Sequence, residues 1–420
     1  MTKSINSVCI KNISQLITLS PLVESKRTNN ITESDLGILK NAWLCLKDGK
    51  VFSYGTKSPP AKIKNLCDKE FDAEQQIIMP GLIDSHTHPL YAGDRSNEFK
   101  YRLDGISYED IAQQGGGILS TVKSTRNASN EALLKLCLKR VLTFLSFGVS
   151  TVEAKSGYGL SVSEELRHLQ ILKEVKNHTP QTIISTCLPL HAIPPEEKSK
   201  LKFIQKMSFD LLPQVKKLDL AKYVDMFIER GYFSTEDCLP FLTQAKKLGF
   251  NIRVHADEFS DSDGANIAAQ WQASSADHLQ HASSKNLAKM AKSKTIATLL
   301  PGTSLYTKIP FTNAEKIIKN GCSIAIASDH NPGSCLLSNL PLLSSLAAIH
   351  CGLNSAQTIA AITYVPAHSL GLQESKGAIY KGFDGDCVLF PHRTIDQWLA
   401  QFGNFKAKKV WIKGQDTKLP

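Results

Sequence analysis

The chain contains no run of about eighteen uncharged apolar residues, so a membrane-spanning helix is not expected. Its opening stretch, Met1 to Ile10, lacks the long apolar core of a secretory signal. The ten cysteines are scattered, and no two are spaced as Cys-x-x-Cys, which argues against a zinc knuckle or a thioredoxin-type redox pair. Cys187 and Cys322 fall in strand-like apolar runs, where a free thiol behaves as a small hydrophobe. A reduced, cytoplasmic protein is the expectation. Internal repeats and low-complexity tracts are also missing, as is any recognisable nucleic-acid module. The net charge of +10, from 49 Lys+Arg against 39 Asp+Glu, is spread along the chain with few interleaved aromatics. It therefore reads as a solvated basic surface that favours an anionic small-molecule partner over nucleic acid or membrane.

What is present is the composition of an ordinary globular protein, 42% apolar and 21% charged. At 420 residues the chain exceeds a typical single core, so one large barrel with a satellite is expected. Residues 1–76 read as short strands and turns. Asn41 to Gly55 has the pattern of a hairpin turning at Asp48-Gly49, and the polar segment Glu24 to Asp35 reads as loop. From Ile77 the pattern changes to apolar β-branched runs alternating with amphipathic stretches. Eight runs qualify as strands: Ile77–Asp84, Val149–Ala154, Ile183–His191, Tyr223–Glu229, Asn251–Ala256, Ala276–Leu279, Thr295–Leu300 and Cys322–Ser328. Helical patterns separate most of them, among them Glu131–Leu145 and Thr235–Leu248, the latter capped by Ser234/Thr235 and closed by Gly249. Eight strands with helices between them predict a (β/α)8 TIM-like barrel over residues 77–365. Residues 366–420, with strand-like Val-Leu-Phe390 and Val410-Trp-Ile-Lys-Gly414, are expected to pair with 1–76 in a small composite β-sheet domain.

The strand ends carry the chemistry. His86 and His88 stand two apart after the first run, so both imidazoles project the same way from an extended backbone. Further ends bring Glu153/Lys155, His191, Glu229, His255/Glu258, His278 and Asp329, while the seventh run contributes nothing ionisable. In a (β/α)8 barrel these residues converge on the face where such enzymes keep their active sites. His86, His88, His255 and Asp329 form a candidate metal-ligand set with room left for water, and imidazole with carboxylate accepts Zn²⁺, Fe²⁺ and Mn²⁺ alike. A metal lowers the pKa of its water toward neutrality, and Asp329 is placed to accept that proton. Glu258 is a candidate proton shuttle, and His278 a candidate for polarising the attacked carbonyl; the blander readings are a loop carboxylate and a core histidine. Lys155 lies on the second strand and the fourth ends in Glu229, so one metal is expected rather than two.

Five stretches, His86-Thr-His-Pro-Leu-Tyr-Ala-Gly-Asp-Arg95, Gly115-Gly-Gly-Ile118, Lys155-Ser-Gly-Tyr-Gly-Leu160, Val254-His-Ala-Asp-Glu258 and Ser328-Asp-His-Asn-Pro-Gly-Ser334, closely resemble the imidazolonepropionase family of the amidohydrolase superfamily. The resemblance implies a mononuclear Zn²⁺ or Fe²⁺ hydrolase that opens the ring of 4-imidazolone-5-propanoate to N-formimino-L-glutamate, and it carries a homodimer as a further expectation. It places metal ligands at His86, His88, His255 and Asp329. Substrate contacts fall at Arg95, Tyr158, His191, Glu258, Asn331, Gly333 and Ser334. Arg95 offers a planar donor fork suited to the substrate's propionate. Glu258 and Asp329 both qualify as principal base. His330 departs from the family pattern, where an aromatic is expected. Gly115–Gly117 lacks the spacing of a phosphate loop and reads as a backbone turn near the pocket. The alternative is a mononuclear amidohydrolase that deaminates a purine or pyrimidine, for which a carboxylate-binding arginine has no purpose.

Overall fold

A computed structural model of the chain describes residues 7–106, 110 and 116–420. Two sheets divide the strands. The first opens with β1 (Ser7–Leu16), β2 (Leu39–Lys47), β3 (Lys50–Thr56) and β4 (Lys69–Pro80). Asp48 and Gly49, at φ 50° and 80°, make the β2–β3 turn with the twist that a two-residue hairpin needs. Between β1 and β2 the segment expected as loop holds a short helix, Ser20–Ser25, and a tight 3-10 turn at Glu33–Leu36. Thr32 and Asp35 cap that turn reciprocally, an arrangement in which short polar side chains supply the order that hydrophobic periodicity does not.

The apolar run at Ile77 does not form one strand. Residues 77–80 end β4 and pair antiparallel with β13 (Cys387–Phe390) of the first sheet, and only Leu82–Asp84, β5, enters the barrel. Gly81 makes the handover because a Cβ there would lie 2.3 Å from Ser150 Oγ of the neighbouring barrel strand. A continuous apolar run is the same signal whichever sheet buries it, so periodicity alone could not show this break.

The barrel continues with β6 (Val149–Lys155), β7 (Thr182–Leu190), β8 (Tyr223–Ile228), β9 (Asn251–Ala256), β10 (Ser275–His278), β11 (Ile296–Leu299) and β12 (Ile324–Ile326), eight strands in sequence order with every neighbouring pair parallel. Their side chains are almost all buried, as expected for parallel strands covered on both faces. The ring closes beyond the strand ends: Asp329 N donates to His86 O at 3.0 Å and His88 N to His330 O at 2.9 Å. The candidate ligands are thus themselves the last rungs of the barrel.

Helices wrap the outside. Asn130–Ser146 is capped by the Ser129 hydroxyl, and Thr235–Lys247 by a reciprocal Ser234/Asp237 box with Gly249 beyond its end. No described helix is long and apolar enough to cross a membrane. β14 (Lys409–Ile412) and β15 (Gln415–Asp416) complete the first sheet in the order β15-β14-β13-β4-β1-β2-β3, so strands from both ends of the chain share one layer. Its inner face buries Val8, Ile10, Leu44, Leu46 and Trp411.

Candidate metal centre and active site

Where β5 and β12 meet, four ligand atoms converge. His88 Nε2 lies 3.3 Å from His86 Nε2 and 3.4 Å from His255 Nε2. Asp329 Oδ1 lies 3.3 Å from His88 Nε2 and 3.5 Å from His86 Nε2. All four side chains are buried. Two donors bound at roughly 2.05 Å to a tetrahedral ion stand about 3.3 Å apart, so this spacing fits a shared cation. It is a poor arrangement for bare lone pairs facing one another out of water. His278 approaches the same point, with one ring nitrogen within 4.8 Å of ligand atoms of His86 and His255.

Fully buried charges orient these ligands from below. His86 Nδ1 meets Asp277 Oδ2 at 2.7 Å, which leaves Nε2 directed at the cluster. His255 Nδ1 lies 3.1 Å from Asp225 Oδ2. Lys155 Nζ lies between Glu153 at 2.9 Å and Asp225 at 2.8 Å, while Arg253 Nη2 reaches Asp277 at 3.4 Å. Burial alone would raise Asp225, yet His255 and Lys155 hold its carboxyl well below the usual range. Asp225, Asp277 and Arg253 were not singled out from sequence. Their signal was present all the same: ionisable residues in strands that are otherwise apolar, where an unpaired charge is too costly to keep.

The other site residues line one pocket. His88, Arg95, Tyr158, His191, His255, Glu258, His278, Asp329, Asn331 and Ser334 face it together with Ile118, Phe227 and Phe259. His191 stacks on His88 at 5.4 Å, and its Nδ1–H donates to Gly157 O at 2.9 Å, so a neutral ring keeps Nε2 as an acceptor. Asn331 is engaged within its own turn: its amide donates to Asp329 O and Ser334 Oγ, and its oxygen accepts from Gly333 N and Ser334 N at 2.8 and 2.7 Å. Gly333 is required there because Arg95 lies against it; a Cβ would stand 2.1 Å from Arg95 Nη1. The seventh strand brings no ionisable group, but Thr303, in the helix Pro301–Thr307 that follows it, donates its Oγ1 hydroxyl to Asp329 Oδ2 at 2.5 Å.

Three further positions have structural surroundings. Glu229 accepts from Phe259 N, Arg230 N and Ser262 Oγ and so ties adjacent loops. His330 is buried beside Phe144 and Tyr91, ring centres 5.4 and 6.2 Å away, so an imidazole fills an aromatic slot. Gly115 lies outside the described residues; Gly117, at φ 72°, opens the helix Ile118–Asn127.

Burial sets the protonation states. It pushes His278 down to about 3 and His88 to about 4, so both are neutral. Burial and the charges of Asp329 and Glu229 push Glu258 well above the usual carboxylate range, toward its protonated form. Burial acts in the same direction on Asp329, but hydrogen bonds with His86 and His88 outweigh it and hold Asp329 as the anion. The two carboxyls thus differ in their preference for a proton. Asp257, His278 and Asp329 all adopt positive φ (54°, 81° and 50°) at or just beyond strand ends, backbone strain of the kind concentrated at functional sites.

The model of the amidohydrolase family matches residues 235–416. A solved adenosine deaminase from Xanthomonas campestris with bound zinc shares the fold at TM-score 0.72 and 15% identity, covering 97% of this chain and 92% of that one. Fold likeness, buried histidine–carboxylate spacing and family match together support a divalent metal here. Imidazolonepropionase of Caldanaerobacter subterraneus subsp. tengcongensis is 40% identical over 381 residues, 90% of this chain and 91% of the relative. That of Bacillus cytotoxicus is 38% identical over 409 residues, 97% and 96%. Identity at this level over nearly the whole of both chains carries the assignment that barrel geometry alone leaves at the level of fold: this chain belongs to the imidazolonepropionase family of amidohydrolases.

Proposed function

We propose that the protein hydrolyses 4-imidazolone-5-propanoate to N-formimino-L-glutamate, a ring-opening step of histidine degradation, with one Zn²⁺ or Fe²⁺ held by His86, His88, His255 and Asp329. The observation that carries this reading is the joining, in one pocket, of a four-ligand cation site and a buried arginine fork. The cation supplies a more acidic water and a polarised carbonyl. The chain's own residues supply the rest.

Arg95 takes the propionate, with Tyr158 and His191 donating or accepting around the ring and Ser334 at the carboxylate end. That places the ring carbonyl beside His278, whose neutral imidazole donates to the oxygen as charge develops on it. Asp329, already an anion, accepts the proton of the attacking water. Glu258, whose carboxyl favours the protonated form, delivers a proton to the ring nitrogen as the carbon–nitrogen bond breaks. Atoms balance: water adds across the amide bond, oxygen to carbon and hydrogen to nitrogen. The opposite protonation preferences of Asp329 and Glu258 support these base and acid roles.

The test is a substrate panel. Metal-loaded protein should open imidazolone propionate, lose that activity after chelation and regain it when Zn²⁺ or Fe²⁺ is returned. Release of ammonia from a purine or pyrimidine, with imidazolone propionate left intact, would overturn the proposal in favour of a deaminase.

A further inference from the structure

Arg95, which lines the pocket, stands at the start of the helix Ser96–Leu103, and its wiring gives a role to a carboxylate on that helix that does not line the pocket. Arg95 Nε donates to Glu98 Oε1 at 2.8 Å and Arg95 Nη2 to Glu98 Oε2 at 2.7 Å, with both side chains buried. Two parallel bonds of this kind fix the plane and rotation of a guanidinium, which a single contact does not. Glu98 is itself held: Oε1 accepts from Gly117 N at 2.9 Å, and Arg102 Nη2 stands 3.6 Å from Oε2. On its other side the Arg95 guanidinium lies against Gly333, where a Cβ would stand 2.1 Å from Nη1. Arg102 Nη2 donates to Gly333 O at 2.5 Å, so the helix and the turn that follows Asp329 meet at this point.

We propose that Glu98 is a positioning residue for substrate recognition: it orients Arg95 so that the guanidinium edge facing the pocket meets the carboxylate of an anionic substrate. This rests on the reading above that Arg95 takes the propionate. Glu98 touches neither substrate nor reacting atoms, and its effect passes through Arg95. A carboxylate that only fastened the helix would affect every substrate alike. One that aims Arg95 affects only those with an acid to hold.

The experiment compares imidazolone propionate with its propionamide analogue on metal-loaded full-length protein. Glu98→Gln should lower kcat/KM for the acid about tenfold, the scale of one weakened charge-assisted bond, through KM and with kcat within about twofold. For the amide it should change little, so the acid/amide ratio falls. Arg95→Met should collapse the same ratio, and adding Glu98→Gln in that background should change it by less than about twofold. Equal losses on both substrates, or a wild-type ratio in Glu98→Gln beside a collapsed one in Arg95→Met, overturn the role of Glu98 alone. A wild-type ratio in Arg95→Met overturns the reading of Arg95 and this inference with it. Metal content and melting temperature accompany each variant. If Glu98→Gln is not recovered folded, Glu98→Asp replaces it: the charge stays, but the shorter arm cannot make both bonds, so an intermediate ratio supports the proposal and a wild-type ratio overturns it.

Discussion

Asp277 Oδ2 lies 2.7 Å from Nδ1 of His86, whose Nε2 is 3.3 Å from that of His88. One imidazole is thus stretched between a buried carboxylate and the ligand cluster. The carboxylate selects the tautomer with Nε2 unprotonated and raises its basicity, a second-layer contact whose loss typically weakens metal binding about 10–100-fold. Asp277→Asn keeps an acceptor but removes the charge, so we expect metal affinity about tenfold weaker, with stoichiometry on full loading unchanged. Competition with a chromogenic chelator measures it. Wild-type affinity in this variant would show that Asp277 serves only to neutralise Arg253.

Glu258→Gln removes the pocket carboxyl that is held above the usual carboxylate range, while leaving the volume and the cation ligands in place. The expected outcome is full metal content with kcat lowered about 10²–10⁴-fold, the range for loss of a general acid. Metal analysis beside steady-state kinetics checks it. Full turnover in the variant would move the proton delivery elsewhere.

How far the sequence revealed all this depended on which signal each feature carries. The barrel was legible because its strands are short apolar runs between capped helices, and the four converging candidate ligands because they sit at the ends of those runs. The break at Gly81 was hidden, since residues 77–84 are buried on both sides of it by two different sheets. Thr303 was passed over because a search for ionisable groups ignores hydroxyls, although its hydrogen bond to Asp329 is among the shortest in the site. Asp225, Asp277 and Arg253 lie within the strands rather than at their ends, so a reading confined to strand ends missed them. Glu98 resembles any helix-surface glutamate until the fold buries it against Arg95.

Lys155 is fully buried with Glu153 and Asp225 at 2.9 and 2.8 Å. Replacing it with methionine preserves length and removes the cation that both carboxylates contact, leaving them to repel across a dry interior. Breaking a buried ion pair from one side costs about 3–5 kcal/mol. Lys155→Met should therefore be destabilised by about that amount in urea unfolding. Adding Glu153→Gln, which removes one of the orphaned charges, should return part of the loss. A Lys155→Met variant as stable as the parent would mean that Asp225 is satisfied by His255 alone.

His168 sets an acid limit that is independent of the metal site. It is buried on the helix Val162–Val175, and neither ring nitrogen has a hydrogen-bond partner among the described residues. Burial, with the nearby charges of Arg167 and Arg126, pushes it down to about 3 from an ordinary 6.5. The folded chain therefore refuses a proton that the unfolded chain takes up below pH 6.5. Above that pH both states hold it neutral and the stability is intact; as pH falls from 6.5 toward 3 the unfolded state binds more protons and stability is lost, at up to about 1.4 kcal/mol per pH unit for one such group. His168→Gln cannot titrate, so its urea midpoint should fall less steeply than the parent's between about pH 6.5 and 4.5. Other acid-sensitive groups are shared by both proteins and cancel in the comparison. Parallel curves over that interval would show that His168 is already protonated, or already neutral, in both states.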